Sequence, residues 1–329
     1  MKGVLFAIST VLVWAILNVV NRYCVVKYDV NIIVFTSYMI FATGVSLLLI
    51  RKRVTPQDWK SGVKYSWLYT LMQIIRSFSM ISTFVYITST ETSLLFNIEI
   101  VITYIMTYLI FQRKPYKGDY WGIFIILTGF ILFIVSLPKE IRTVVSILVI
   151  VSATASCIRS IIVEETTVRN PQTTVRQKCG ISGYTMFVGG LLLVIFFFIT
   201  AGVKYLLGEN PPQMLSILNY LPDFKEIFHP ATIISACTAG FCINALTTYL
   251  YYSTLEYSKS ETFMAVRAFQ PVITYTLEFL AAFYLAAMRP DLNLKDYLFG
   301  CLIILGSLLI LVVPSRTKVQ KTSKDFIAD

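Results

Sequence analysis

Ten stretches of this 329-residue chain run for about twenty positions with few charges, the length at which a helix crosses the hydrocarbon core of a bilayer. They fall near 3–26, 30–50, 66–87, 92–111, 119–137, 143–162, 181–203, 231–254, 262–287 and 294–313. Continuous runs exclude β-barrel strands, which would alternate over shorter segments. Composition agrees. Charged residues make up 14% and hydrophobic residues 56%, where a soluble domain carries about 25% charged. A soluble globular enzyme and a disordered chain are both excluded on that ground. The expected fold is an all-α integral membrane protein with ten transmembrane helices.

Lys2 precedes the first run as it would in a secretory leader. The run is too long for a leader's apolar region and no Ala-x-Ala site follows, so an uncleaved first helix is expected. Basic residues then set the orientation. With the N-terminus inside, Lys2, Arg51, Lys52, Arg53, Lys60, Lys64, Arg113, Lys114, Lys117, Arg169, Arg176, Lys178, Lys259 and the tail residues Arg316, Lys318, Lys321 and Lys324 share one side. Arg22, Lys27, Lys139, Arg142, Lys204, Lys225, Arg289 and Lys295 share the other. Short loops rich in Lys and Arg stay cytoplasmic. Both termini are therefore expected in the cytoplasm, with the protein in the cytoplasmic (inner) membrane. The net charge of +10 is explained by anchoring, and a nucleic-acid partner is excluded. The longest loops are expected at 163–180, inside, and 204–230, outside. The second holds Asn210-Pro211-Pro212 and is read as an irregular cap.

The six cysteines (Cys24, Cys157, Cys179, Cys237, Cys242, Cys301) show no zinc spacing and read as small buried hydrophobes. His229 is the one histidine, so neither a histidine metal cluster nor a histidine relay is expected, and no cofactor.

Residues 91–138 and 261–314 repeat one another. The first reads Glu91-Thr92, Val101-Ile102-Thr103-Tyr104, Asp119-Tyr120, Gly122, Gly129, Pro138. The second reads Glu261-Thr262, Val272-Ile273-Thr274-Tyr275, Asp296-Tyr297, Gly300, Gly306, Pro314. The fourth and fifth runs thus correspond to the ninth and tenth. Five crossings per half is an odd number, so the second half enters the membrane upside down. The expected arrangement is two inverted five-helix repeats, 1–138 and 139–329, the latter with a cytoplasmic tail. Inverted repeats build many secondary transporters, with the site at the midplane.

The pattern resembles the ten-helix EamA-type branch of the drug/metabolite transporter superfamily. Trp14 and Asn18, Arg76, the Asp119-Tyr120, Gly122, Gly129 stretch, Pro271, and the Asp296-Tyr297, Gly300, Gly306 stretch carry the resemblance. Glu99 stands near the place of that family's mid-helix proline. The acidic residue that usually ends its fourth and ninth helices is replaced by Gln112-Arg113-Lys114-Pro115 and Met288-Arg289-Pro290.

Five ionisable residues lie well inside the runs: Arg76, Glu99, Arg159, Arg267 and Glu278. Each costs about 2.5–3.5 kcal/mol at the bilayer centre on an insertion scale, so they should face protein or water. At helical spacing, Arg267, Gln270, Thr274 and Glu278 share a face of the ninth run. Tyr69, Met72, Gln73, Arg76, Ser79, Met80 and Thr83 share a face of the third, and Thr92, Glu99, Thr103 and Met106 of the fourth. Ser152, Ser156 and Arg159 line up on the sixth, Asn244, Thr247, Thr248 and Tyr251 on the eighth, Trp14, Asn18 and Asn21 on the first. Such stripes also serve as contacts between helices. Arg76 and Glu99 could pair as a structural brace, Arg159 could reach headgroups, and Glu278 could sit wet near the outer end.

Arginine pairs with a carboxylate, and glutamate holds an ammonium or carries a coupling proton. The expected function is secondary transport, by uptake or exchange, of a zwitterionic or mixed-charge metabolite such as an amino-acid derivative. Arg267 and Glu99 are expected to meet the two charges, with Arg76, Gln270, Tyr69, Gln73, Trp14, Asn18 and Tyr251 around them. Glu99 and Glu278 are the proton-coupling candidates. The resemblance implies S-adenosylmethionine as a first guess, because transporters of that superfamily in some obligate intracellular bacteria carry it. There is no GxxxxGK[ST] loop for ATP. Three alternatives remain: an efflux permease for amino acids or drugs, a membrane-embedded transferase, and a non-transporting scaffold. The partners expected are a small molecule and the lipid bilayer. Oligomeric state is not legible.

Overall fold

The computed structural model describes residues 2–52, 56–113, 115, 117–169, 173–207, 220–258, 263, 266–290 and 292–312. Arg53, Lys114, the Asn210-Pro211-Pro212 cap, Lys259, Glu261-Thr262, Pro314 and the tail basics lie outside the described residues. Among the described residues every regular element is a helix.

The N-terminal half contains α1 (Lys2–Tyr28), α2 (Ile32–Leu49), α3 (Pro56–Thr83), α4 (Ser89–Leu95), α5 (Ile98–Phe111) and α6 (Lys117–Ser136). The rest holds α7 (Lys139–Arg169), α8 (Val175–Leu207), a one-turn α9 (Phe224–Ile227), α10 (Pro230–Thr238), α11 (Ala245–Tyr257), α12 (Gln270–Ala282) and α13 (Leu294–Val312). A π-helical turn, Ala239–Asn244, joins α10 to α11. Seven helical stretches are long and apolar enough to cross a membrane. The third, ninth and tenth expected runs also fold as helix, in α3, α12 and α13.

Start signals act where the residue types place them. The Asn31 side chain accepts from the amides of Ile33 and Val34 and opens α2. Thr88 and Glu91 form a reciprocal capping box on α4. His229 precedes Pro230, whose fixed φ suits the first turn of α10. Helix ends depart from expectation. Helix α3 begins ten residues before its apolar run, because its first turns are polar. The long 163–180 loop shrinks because α7 continues to Arg169 and α8 starts at Val175. Hydropathy marks lipid contact, and these helices continue past it. Three cysteines are buried as expected, but Cys237 is half-buried and Cys242 and Cys301 are exposed on the apolar outer surface.

The fourth and ninth runs are not continuous helices. The first breaks at Phe96–Asn97 between α4 and α5. The second turns at Ala268–Phe269 just before α12. Three-residue hydrogen bonds carry the chain through both places: Glu99 N–H to the Phe96 carbonyl at 3.0 Å, and Val272 N–H to the Phe269 carbonyl at 3.2 Å. Aligned on the two Val-Ile-Thr-Tyr segments, the breaks fall within one residue of each other.

Helix pairing follows the same correspondence. Helix α1 packs on α11 and α12, and α7 packs on α3 and α5. Helix α2 packs along α8, and α6 along α13. Exchanging α1 with α7, α2 with α8, α3 with α10–α11, α4–α5 with α12, and α6 with α13 leaves these principal pairings unchanged. In the α2/α8 seam, a Cβ on Gly44 would overlap the Phe187 backbone, while Gly183 meets Leu47 and Gly190 meets Phe41. In the α6/α13 seam, Gly122 meets Gly306 and Ile310, and Gly129 meets Ile303. Numbers rise on one helix as they fall on the other, so each seam joins antiparallel helices. Glycine is required at Gly44 and Gly122 because the facing backbone or side chain takes the space of a Cβ.

Candidate substrate-binding site

The charged stripes converge where α1, α3, α5, α7, α11 and α12 meet. Arg76, Glu99, Arg159 and Arg267 are 1%, 1%, 2% and 3% exposed. Arg267 stands just before the turn into α12, and Glu99 just after the break into α5. The two form an ion pair across these interruptions. Arg267 Nε also donates to Gln270 Oε1 at 2.9 Å.

Trp14 of α1 touches two guanidiniums. The Arg267 carbon is 4.5 Å from its ring centre and that of Arg76 is 4.8 Å. Trp14 touches Tyr251 and Phe263, with ring centres 5.6 and 5.5 Å away. Arg159 of α7 lies over Tyr69 and Tyr251, at 4.8 and 5.2 Å, and donates to the Tyr69 hydroxyl at 2.8 Å. The Tyr251 and Ser160 hydroxyls are 2.5 Å apart. Gln73 Nε2 donates to Ser77 Oγ at 3.1 Å, and its oxygen has no partner. Both amide atoms of Asn18 and of Asn21 are buried without a partner.

Several expectations are corrected. Glu99 pairs with Arg267, so the Arg76–Glu99 brace does not form. Arg159 is buried, bonded to Tyr69, and does not reach headgroups. Glu278 is fully buried and far from wet. Its carboxylate accepts from the Ser89 amide and hydroxyl at 2.9 and 2.5 Å, and from the Thr90 amide and hydroxyl at 3.1 and 2.6 Å. It also forms an ion pair with Arg22. Arg22, counted among the basic residues of a loop, lies within α1. The resulting clamp joins α1, α4 and α12 away from Trp14. Sequence reading missed Ser89, Thr90 and Arg22 as partners of Glu278. The Thr88 capping signal locates a helix start there, but nothing in the linear pattern links it to residue 278.

Two hollows flank the cluster. A narrow one of about 30 Å³, lined by Tyr65, Ser66, Tyr69, Lys178, Ser182 and Tyr252, ends on the tyrosine bound by Arg159. A wider one of about 670 Å³ lies toward the Glu278 clamp and includes Arg22, Thr88, Tyr275 and Arg289. Trp14, Arg76 and Arg267 are buried and line neither hollow. His229 Nδ1 is 3.1 Å from Thr232 Oγ1 at the start of α10. Among the described residues no group of three or more His, Cys, Asp or Glu is placed to hold a metal.

Apolar helices wrapped around a charged, closed interior define a multi-pass integral membrane protein. Residues 1–135 match the EamA-like transporter family, and with that match the chain is similar to membrane transporters of the drug/metabolite type. No curated protein sequence matches the chain. A solved structure titled only "Crystal structure of protein" shares the fold at a TM-score of 0.57 with 12% identity, covering 96% of this chain and 98% of its own. That likeness concerns fold alone.

Proposed function

We propose that the chain is a secondary transporter that moves a small carboxylate-bearing, mixed-charge metabolite by alternating access, through uptake or exchange. The observation that carries this reading is the buried Arg267–Glu99 pair beside two helix breaks that align to within one residue. A pair that only braced helices would be replaceable by apolar packing at similar or lower free energy. A pair that opens offers a guanidinium to a carboxylate and a carboxylate to a cationic group, and each charge keeps a partner throughout.

The halves 1–138 and 139–329 are inverted repeats in this reading. The symmetric pairings and the two antiparallel glycine seams support it. Rocking one half against the other would expose the cluster alternately through the hollow under Tyr69 and the one beside the Glu278 clamp. By the distribution of basic residues the first hollow is cytoplasmic, as are both termini, and the protein sits in the inner membrane. Asn18 and Gln73, buried with unsatisfied atoms, are placed to meet polar groups of the substrate.

The test is uptake and counterflow in proteoliposomes, with a panel of labelled amino acids, carboxylates and S-adenosylmethionine. Accumulation or exchange of one member above empty vesicles, lost in Arg267→Lys, supports the reading. Flux unchanged in that variant removes Arg267 from the site.

A further inference from the structure

The cluster is not electrically balanced. Three guanidiniums, Arg76, Arg159 and Arg267, face a single carboxylate, Glu99, which is committed to Arg267. Four other buried carboxylates are held elsewhere. Glu278 is bound by Arg22, Ser89 and Thr90, Glu91 by Thr88, Glu164 by Arg113, and Asp296 by Ser136 and the Asn293 amide. Among the described residues no carboxylate pairs with Arg76 or Arg159. Arg76 meets the face of Trp14. Arg159 meets two tyrosine faces and one phenol oxygen, and its Nε and Nη1 have no partner. Arg76 and Arg267 meet the same Trp14 ring, so two like charges lie close together. Aromatic faces soften the field of a cation but do not neutralise it, and an uncompensated buried charge is strongly unfavourable.

We propose that Arg76 and Arg159 form an anion-binding site for a small organic dianion, a dicarboxylate or a phosphate monoester, seated against Trp14, Tyr69 and Tyr251. This rests on the transporter reading but replaces its mixed-charge substrate with a dianion, the Arg267–Glu99 pair staying closed on itself. Two negative charges cancel the two unpaired guanidiniums and leave Arg267–Glu99 neutral. The Arg159 fork reaches the Tyr69 hydroxyl, where the narrow hollow ends, and Lys178 lines that hollow. Cationic and aromatic groups thus mark the approach. S-adenosylmethionine, a monocation, would add to the excess and is a predicted non-ligand.

The experiment is a thermal-unfolding titration of purified full-length protein with succinate, glycerol 3-phosphate, lysine and S-adenosylmethionine, against sodium chloride of matched ionic strength. Succinate or glycerol 3-phosphate should raise the midpoint saturably, while lysine, S-adenosylmethionine and chloride should not. Arg76→Met should raise the unliganded midpoint, because it removes an unpaired buried charge, and should weaken dianion binding by about tenfold or more. A purely structural arginine would move the unliganded midpoint the other way. Absence of a saturable dianion shift in the wild-type protein overturns the proposal whatever the variant does. Wild-type dianion affinity in Arg76→Met, or in Arg159→Gln should the first variant not fold, overturns it as well. The transporter reading has its own readout. Vesicles that accumulate a neutral or cationic solute without any dianion shift would keep that reading and eliminate this one. A dianion shift without flux of any solute would do the reverse.

Discussion

Arg267 and Arg159 are buried to nearly the same degree, yet their surroundings differ in kind. Arg267 meets a carboxylate and an amide oxygen. Arg159 meets two ring faces and a phenol. The first environment cancels charge, and the second only polarises around it. A closed interior can therefore hold one arginine as half of a neutral pair and leave another with its charge available. Trp14 stands at the boundary, touching Arg267 of the paired set and Arg76 of the unpaired set.

The difference is open to attack at four places. Glu99→Gln should be the most damaging change, since it turns the paired arginine into an unpaired one. Breaking a buried pair costs about 3–5 kcal/mol, so yield and unfolding midpoint should fall sharply. Wild-type stability in this variant would erase the distinction between the clusters. Arg267→Lys keeps the charge but loses the planar fork, the Gln270 bond and the stacking on Trp14. It should fold, judged by size-exclusion elution, and lose transport by about ten- to a hundredfold, roughly 1.4–2.8 kcal/mol. Trp14→Leu removes the ring that both clusters share. A desolvated cation–π contact is worth about 2 kcal/mol, and the loss should appear in stability and in transport together. An effect on only one would show that Trp14 serves only one cluster. Tyr69→Phe deletes a single hydrogen bond to Arg159, worth about 1–2 kcal/mol. It should leave expression intact and shift ligand affinity several-fold, the smallest effect of the four.

Much of this interior could be read from spacing. Arg267, Gln270, Thr274 and Glu278 were expected on one face of the ninth run, and all four are buried. Of the third-run face, Tyr69, Gln73, Arg76, Ser79, Met80 and Thr83 are buried as well, and Met72 is half-buried. Periodicity says which way a residue faces but not whom it meets. Glu99 could pair with Arg76 or Arg267, and helix crossing decides between them. Glu278 fits the same stripe as Arg267, yet it lies about three turns farther along and is used for another purpose, binding the start of α4. The breaks at Phe96–Asn97 and Ala268–Phe269 carry no general sequence signal. Pro271 follows the second, but Ile100 occupies the matching place in the first. The ends of α7 and α8 were set too short because charged residues at a membrane edge remain good helix formers.

The two glycine seams, α2 with α8 and α6 with α13, have a mechanical consequence. In the proposed repeat each joins a helix to its own counterpart, so a motion that interchanged the two halves would return each seam to itself. Where backbone faces glycine, at Gly44, Gly190 and Gly122, few side chains need re-sorting if the angle between the partners changes. In the language of machines, under the proposed alternating access the seams would be bearings that keep contact while the remaining helix pairs take up the travel.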